Sequence, residues 1–151
     1  MHTRSVDVAV IGAGSAGMVA VRAARKHTDS VLLIEGGEYG TTCARVGCMP
    51  SKLLIAAADA AHAVQDAEGF GLRTGPLIVD GAAVMARVRA ERDRFVGFVT
   101  QTIDSWPADH RLRANAHFLA PNVLALDNGL TIHAKRVVIA TGSRPRIIDD
   151  W

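Results

Sequence analysis

Three things are scarce in this sequence of 151 residues: cysteine, net charge and long apolar runs. Each scarcity removes a class of protein. The first apolar stretch, Ser5 to Ile11, ends at Gly12, too short for a bilayer span or for a signal segment with its cleavage site. The expectation is a cytoplasmic protein with no membrane partner. A formal net charge of +2 gives no basis for a nucleic-acid partner, and the run Arg87, Arg89, Arg92, Arg94 is interleaved with Glu91 and Asp93, as on a solvated helix face. The two cysteines, Cys43 and Cys48, sit five positions apart. Disulfide staples are rare in the cytosol, so a pair this close points to redox catalysis or metal binding. There is no internal repeat and no low-complexity tract. What remains, 49% hydrophobic and 21% charged, is material for one globular domain with one core.

The apolar pattern alternates between strands and helices. Ser5 to Ile11 (SVDVAVI) and Val31 to Ile34 (VLLI), finishing on Glu35, have the continuous hydrophobicity of buried parallel strands. Between them, from Ser15 to about His27, Val19, Ala20, Ala23 and Ala24 recur at helical spacing opposite Arg22, Arg25 and Lys26. Pro50 suits the start of a helix that runs to about Ala67, with Leu53, Leu54, Ala57, Ala58, Ala61 and Val64 as its apolar stripe. After a linker (GFGLRTGP, 69–76) a second long helix is expected from Gly81 to Ser105, facing inward with Val84, Val88, Phe95, Phe98, Val99 and Ile103. Short strands follow at Arg113 to Phe118, Val123 to Leu126 and Leu130 to His133, the last two joined by the turn Asp127-Asn128-Gly129. A separate buried strand, Arg136 to Ala140, enters Thr141-Gly142-Ser143.

Gly12-Ala13-Gly14-Ser15-Ala16-Gly17 is a G-x-G-x-x-G string that follows a strand, opens a helix and is followed by a second strand ending on an acid. That context marks a dinucleotide-binding βαβ unit. Gly12 serves the tight turn, Gly14 the approach of a pyrophosphate, and Gly17 the close packing of helix on strand. The helix start offers free N–H groups to the diphosphate. Glu35 would accept from the adenosine ribose hydroxyls and repel a 2′-phosphate, so the ligand is FAD or NAD and not NADP.

On a regular helix a spacing of five turns the second side chain by about 500°, away from the first. A disulfide needs Cα atoms within about 7 Å, so the backbone between Cys43 and Cys48 must be irregular, with Gly47 the residue placed to absorb the distortion. A nearby helix start would lower a thiol pKa. Zinc is the competing reading, but His27, His62, His110, His117 and His133 are scattered without ligand spacing, and no metal site is expected. Two inert buried thiols are the third.

The segment Gly40-Thr41-Thr42-Cys43-Ala44-Arg45-Val46-Gly47-Cys48-Met49-Pro50-Ser51-Lys52 resembles the active-site stretch of the class I pyridine nucleotide-disulfide oxidoreductases. Its Pro-Ser-Lys tail is most like the dihydrolipoamide dehydrogenase branch, and mercuric reductases share much of it. The glycine loop, Glu35, the cysteines and Ala140-Thr141-Gly142 stand in that family's order. The resemblance implies an α/β, Rossmann-type FAD-binding domain with a small antiparallel β-meander, spanning 1–151 and incomplete at its C-terminus. FAD contacts would come from Gly12, Gly14, Ser15, Ala16, Gly17, Glu35, Thr42, Lys52, Ala140, Thr141 and Gly142. Cys43 would exchange with the substrate, Cys48 would face the flavin, and Lys52 would favour reduced, anionic flavin. Two positions depart from the family pattern: Thr41 stands where glycine is usual, and Arg45 where asparagine is usual.

The family's second glycine fingerprint, for NAD, and its dimerisation domain with a histidine-glutamate pair are not found. Beyond Gly142 only Arg144, Pro145 and Arg146 to Trp151 remain. The expectation is therefore a truncated flavin-dependent dithiol/disulfide oxidoreductase, inactive by itself. In full length it would be a homodimer passing electrons from a small-molecule or lipoyl-domain dithiol to NAD. The alternatives are a mercuric reductase-like enzyme and a stand-alone nucleotide-binding or thiol-redox module.

Overall fold

The computed structural model describes residues 2–143 and 146–148. Arg144, Pro145 and residues 149–151, part of the tail after Gly142, lie outside the described residues. The chain divides into two compact units, one formed by 1–40 with 100–151 and the other by 41–99.

The first unit is built on a six-stranded sheet in the order β3-β2-β1-β6-β5-β4. Its strands are β1 (His2–Ile11), β2 (Val31–Glu35), β3 (Arg111–Arg113), β4 (Ala116–Ala120), β5 (Val123–Leu126) and β6 (Leu130–Ile139). β3, β2, β1 and β6 are mutually parallel, and β6, β5 and β4 form the antiparallel part. On β1 and β2, Ala9, Val10, Leu32, Leu33 and Ile34 are fully buried. This is why Val8 to Ile11 and Val31 to Ile34 read as unbroken apolar runs.

Two expectations about the sheet are corrected. The strands placed separately at 130–133 and 136–140 are one ten-residue strand, β6. Lys135 and Arg136 suggested a break, yet Ile132 and Ala134 point inward while His133 and Lys135 point outward, so the charges only mark the outer side. β6 therefore pairs along β1 and, through its first half, with β5, and the meander belongs to the main sheet. The strand expected over 113–118 is instead split: β3 joins β2, and β4 joins β5. The connection is held by Asp127, whose carboxylate accepts from the Asn115 backbone N–H at 3.0 Å and from its side-chain amide at 2.8 Å.

Helix α1 (Ser15–Ala24) buries Gly17, Met18 and Val21, while Val19 is 63% exposed. The apolar face is thus rotated from the one read through Val19, Ala20, Ala23 and Ala24. Gly17 sets the rotation, because a Cβ there would lie 1.8 Å from the Gly12 carbonyl oxygen and so only a bare Cα can face that turn.

The second unit holds α2 (Thr42–Arg45), α3 (Cys48–Asp66) and the first nineteen residues of α4 (Gly81–Asp104). A 3₁₀ turn over Ala67–Phe70 follows α3 and takes in the first two residues of the expected linker, Gly69 and Phe70. α3 has no buried residue; Leu53, Ala57, Ala61 and Val64 are half-buried, and Leu54 and Ala58 of the expected stripe are exposed. On α4, Val88 and Ile103 are buried but Phe98 is 54% exposed, under the Arg94 guanidinium at 5.6 Å. The charged face of α4 pairs Arg92 with Asp93 and Arg94 with Glu91, each at 2.7 Å.

Candidate functional site

The candidate residues fall into two groups, a glycine loop with Glu35 in the first unit and a thiol loop in the second. In the first unit β2, β1 and β6 are parallel and adjacent, so their C-terminal ends lie side by side. Ligands of open α/β sheets bind at such ends. Glu35, Gly12 and Ala140-Thr141-Gly142 are the residues there.

The three glycines of the loop have different reasons to be glycine. Gly12 has φ +107, and a Cβ on it would lie 2.2 Å from the Ala140 carbonyl oxygen. Gly17, as above, lets the Gly12 turn sit against α1. Packing within the protein explains both. Gly14 is different: its backbone is extended, and an added Cβ would meet nothing within 4 Å. No protein neighbour requires a glycine there, and the open space lies beside the start of α1.

That helix start is bare. Gly14 is the N-cap, no side chain caps the helix, and its first turn holds no acid. Its first N–H groups and the positive end of its dipole are left for an anion. Ser15 and Ala16 are exposed on this turn. Glu35 is held from both sides, accepting from the Ala13 N–H at 2.6 Å and from the Gly37 N–H at 2.8 Å. This double clasp, which ties the glycine loop to the end of β2, was not legible in the sequence. Nor was the fit of Gly36 against Asn115, whose amide oxygen would lie 1.9 Å from a Cβ at that position. Nothing in an asparagine seventy-nine residues away announces such a contact. β6 continues its pairing past its last residue through the Ala140 N–H to Ile11 C=O bond of 2.8 Å, which brings Ala140 against Gly12; Thr141 and Gly142 follow, exposed, with Gly142 at φ +74.

In the second unit the backbone breaks where the cysteine spacing requires. Thr41 caps α2, its hydroxyl accepting from the Ala44 N–H at 3.1 Å. The helix closes after one turn, with the Val46 and Gly47 N–H groups both donating to the Thr42 carbonyl at 3.0 Å. Gly47 then leaves helical geometry (φ −121, ψ −104) and α3 begins at Cys48. The break at Val46-Gly47 sets the two thiols close enough to influence each other's titration. Both are free thiols, Cys43 half-buried and Cys48 exposed. Thr42 is exposed on α2, and Lys52 is exposed one turn of α3 beyond Cys48.

The lowered thiol pKa expected from the helix start is not the net result. The Cys43 thiol lies above its ordinary value, chiefly because of its hydrogen bond with the Cys48 thiol, with burial and the Cys48 charge acting in the same direction. The Cys48 backbone N–H at the start of α3 and the Lys52 ammonium pull it down, but they are outweighed. Lys52→Met should therefore move the pH profile of Cys43 alkylation by iodoacetamide further upward, followed by peptide mass analysis. An unmoved profile would show that bulk screening already cancels the ammonium.

No helix among the described residues is long and apolar enough to cross a membrane. Residues 6–150 match the family described as pyridine nucleotide-disulphide oxidoreductase. The chain is 35% identical over 153 residues to a mercuric reductase of Streptomyces lividans, covering 95% of this chain and 31% of that protein. It is 34% identical over 145 residues to a dihydrolipoyl dehydrogenase of Thermus scotoductus, covering 94% and 30%. With a glutathione reductase of Burkholderia cepacia the identity is 32% over 145 residues, covering 96% and 32%. The chain thus spans about a third of the length of these relatives. The glycine loop with its acid, the mixed sheet and the family match over 6–150 agree: the chain belongs to the pyridine nucleotide-disulphide oxidoreductase family.

Proposed function

We propose that this chain is the FAD-binding and thiol-bearing part of a cytoplasmic flavin-dependent disulfide oxidoreductase of the dihydrolipoamide dehydrogenase kind. The observation that carries the reading is Gly14, a glycine that no protein neighbour requires, at an uncapped helix start beside the acid that ends β2. That set fits an adenine dinucleotide whose diphosphate takes the free N–H groups of α1 and whose ribose takes the remaining lone pairs of Glu35. The negative charge of Glu35 opposes a 2′-phosphate. Bound FAD would supply a two-electron acceptor between a dithiol and NAD.

The chain's own chemistry is thiol–disulfide exchange. With the pair oxidised, a substrate thiolate attacks one sulfur of the Cys43–Cys48 bond and the other leaves as a thiolate. The second substrate thiolate then displaces the first enzyme sulfur, so the substrate closes to a disulfide and the pair gains two electrons. Cys43 is the exchanging thiol and Cys48 the one that hands electrons on; this division rests on the family motif. The NAD site, the acid-base pair and the homodimer belong to the whole protein.

Titrating the folded chain with nucleotides, followed by flavin fluorescence for FAD and by equilibrium dialysis for the others, tests the reading. FAD binding with NADP excluded is expected; a folded chain that takes up no FAD, or takes NADP equally well, overturns it. A mercuric reductase-like activity is the second reading, favoured by the identity to the Streptomyces lividans enzyme. Mercury-dependent oxidation of NADPH by the full-length protein, without dihydrolipoamide activity, would support it.

A further inference from the structure

We infer that Arg113 is a positioning residue for dinucleotide binding: it holds the turn after β2, and through the Gly37 N–H of that turn it aims the Glu35 carboxylate. The inference rests on the reading of Glu35 as the ribose acceptor and deepens it. Glu35 is fastened at two points of unequal firmness. One carboxylate oxygen, Oε2, accepts from Ala13, in a loop held by the close packing of Gly12 against Ala140 and of Gly17 against Gly12. The other, Oε1, accepts from Gly37, the second of two successive glycines in an exposed turn. Glycine has little conformational preference of its own, so this second donor stays in place only where something else holds it.

The end of β3 supplies that hold. Its last residue, Arg113, stands opposite Glu35 in the parallel register, and the next N–H, of Ala114, donates to the Glu35 carbonyl at 3.0 Å. The Arg113 side chain then reaches the turn itself. Its Nη1 donates to the Gly37 carbonyl, and its guanidinium lies 4.3 Å from the ring centroid of Tyr39, which is buried. Gly37 is thereby gripped on both sides, its N–H by Glu35 and its C=O by Arg113. Arginine suits this place because a planar guanidinium donates in its plane while its face rests on an aromatic ring. Asn115, two residues further on, closes against Gly36 of the same turn. With the turn set before a nucleotide arrives, the carboxylate needs no ordering on binding.

The test is a double-mutant cycle on the 151-residue chain, read as FAD affinity by flavin fluorescence. Arg113→Met keeps an apolar stem and removes the donor. It should weaken FAD binding about three- to tenfold, the cost of ordering one side chain on binding. Glu35→Ala leaves no carboxylate to aim, so on that background Arg113→Met should weaken FAD by less than about twofold, the non-additivity expected of residues that act through one another. Amide exchange in the ligand-free chain, followed by NMR, gives a readout that needs neither FAD nor a Glu35 variant. The Gly37 N–H should exchange at least about fivefold faster in Arg113→Met, while the amides of β2 keep their rates. Unchanged FAD affinity in Arg113→Met, losses that multiply in the double variant, or an unaltered Gly37 amide overturns the proposal. Failure of the reading beneath it has a separate signature: the unsubstituted chain itself takes up no FAD.

Discussion

Gly14→Ala should leave the folded chain intact and weaken FAD binding about ten- to hundredfold, whereas Gly12→Ala should damage the fold itself. The contrast follows from what an added methyl group would meet. At position 14 it enters open space, at an extended backbone conformation that alanine adopts freely, so the unfolding temperature should hardly move. The methyl group would then stand where a diphosphate must approach the N–H groups of α1. Overpacking of about 1–3 kcal/mol corresponds to that range of lost affinity. At position 12 the same methyl group would lie 2.2 Å from the Ala140 carbonyl oxygen and 3.1 Å from the Thr141 nitrogen, on a backbone at φ +107. Both neighbours are backbone atoms at the end of β6, which cannot swing aside as a side chain can. Conformational strain of about 1–2 kcal/mol adds to overpacking of about 1–3 kcal/mol. The sum is a large part of the about 5–15 kcal/mol that holds a domain. Calorimetry with FAD titration on both variants checks the pair. A large stability loss in Gly14→Ala, or unaltered FAD affinity in it, would remove the special status given to that glycine.

The parts of the fold that could be read from sequence are those set by local chemistry. β2 and β5 have the expected bounds because four apolar residues in a row, flanked by turn formers, leave little choice, and Gly129, at φ +84, closes the hairpin that Asp127-Asn128-Gly129 announced. The break between the cysteines was legible because their spacing is incompatible with an unbroken helix. What could not be read depends on contacts that the local pattern of apolar and polar residues does not announce. β3 leaves the meander for the edge of β2 because the Ala114 N–H bonds the Glu35 carbonyl and Asn115 is clasped by Asp127. The rotation of α1 follows from the position of the Gly12 carbonyl, and the raised Cys43 pKa from its contact with Cys48. In the first case distant partners, and in the other two a residue only five positions away, override a sound local pattern.

Glu35→Gln should lower both the stability of the chain and its affinity for FAD, and the two losses share one cause. The carboxylate oxygens accept separately from Ala13 and Gly37, so one side chain fastens the glycine loop to the end of β2 and also fixes the turn that follows. Glutamine offers one acceptor where two are used, and its NH₂ group would face an N–H donor. Losing a hydrogen bond to a charged acceptor costs about 1.5–3 kcal/mol, which for a chain of this size is a fall of roughly 3–12 °C in unfolding temperature. Glu35→Asp keeps the charge but is one methylene shorter, so it cannot reach both N–H groups at once; its stability loss should approach that of Glu35→Gln. The two variants should part in ligand choice. Aspartate still repels a 2′-phosphate, so NADP stays excluded, while glutamine admits it. Because the clasp holds the loop in place before any ligand arrives, cutting it also imposes an ordering cost on binding, and the loss of FAD affinity should exceed that of a single ribose hydrogen bond. Thermal unfolding with and without FAD reads both effects in one experiment, since a ligand at free concentration c that binds only the folded chain raises its stability by RT ln(1 + c/Kd). An unfolding temperature unchanged in Glu35→Gln would mean that the loop stays in place without the carboxylate, leaving Glu35 only a ligand contact.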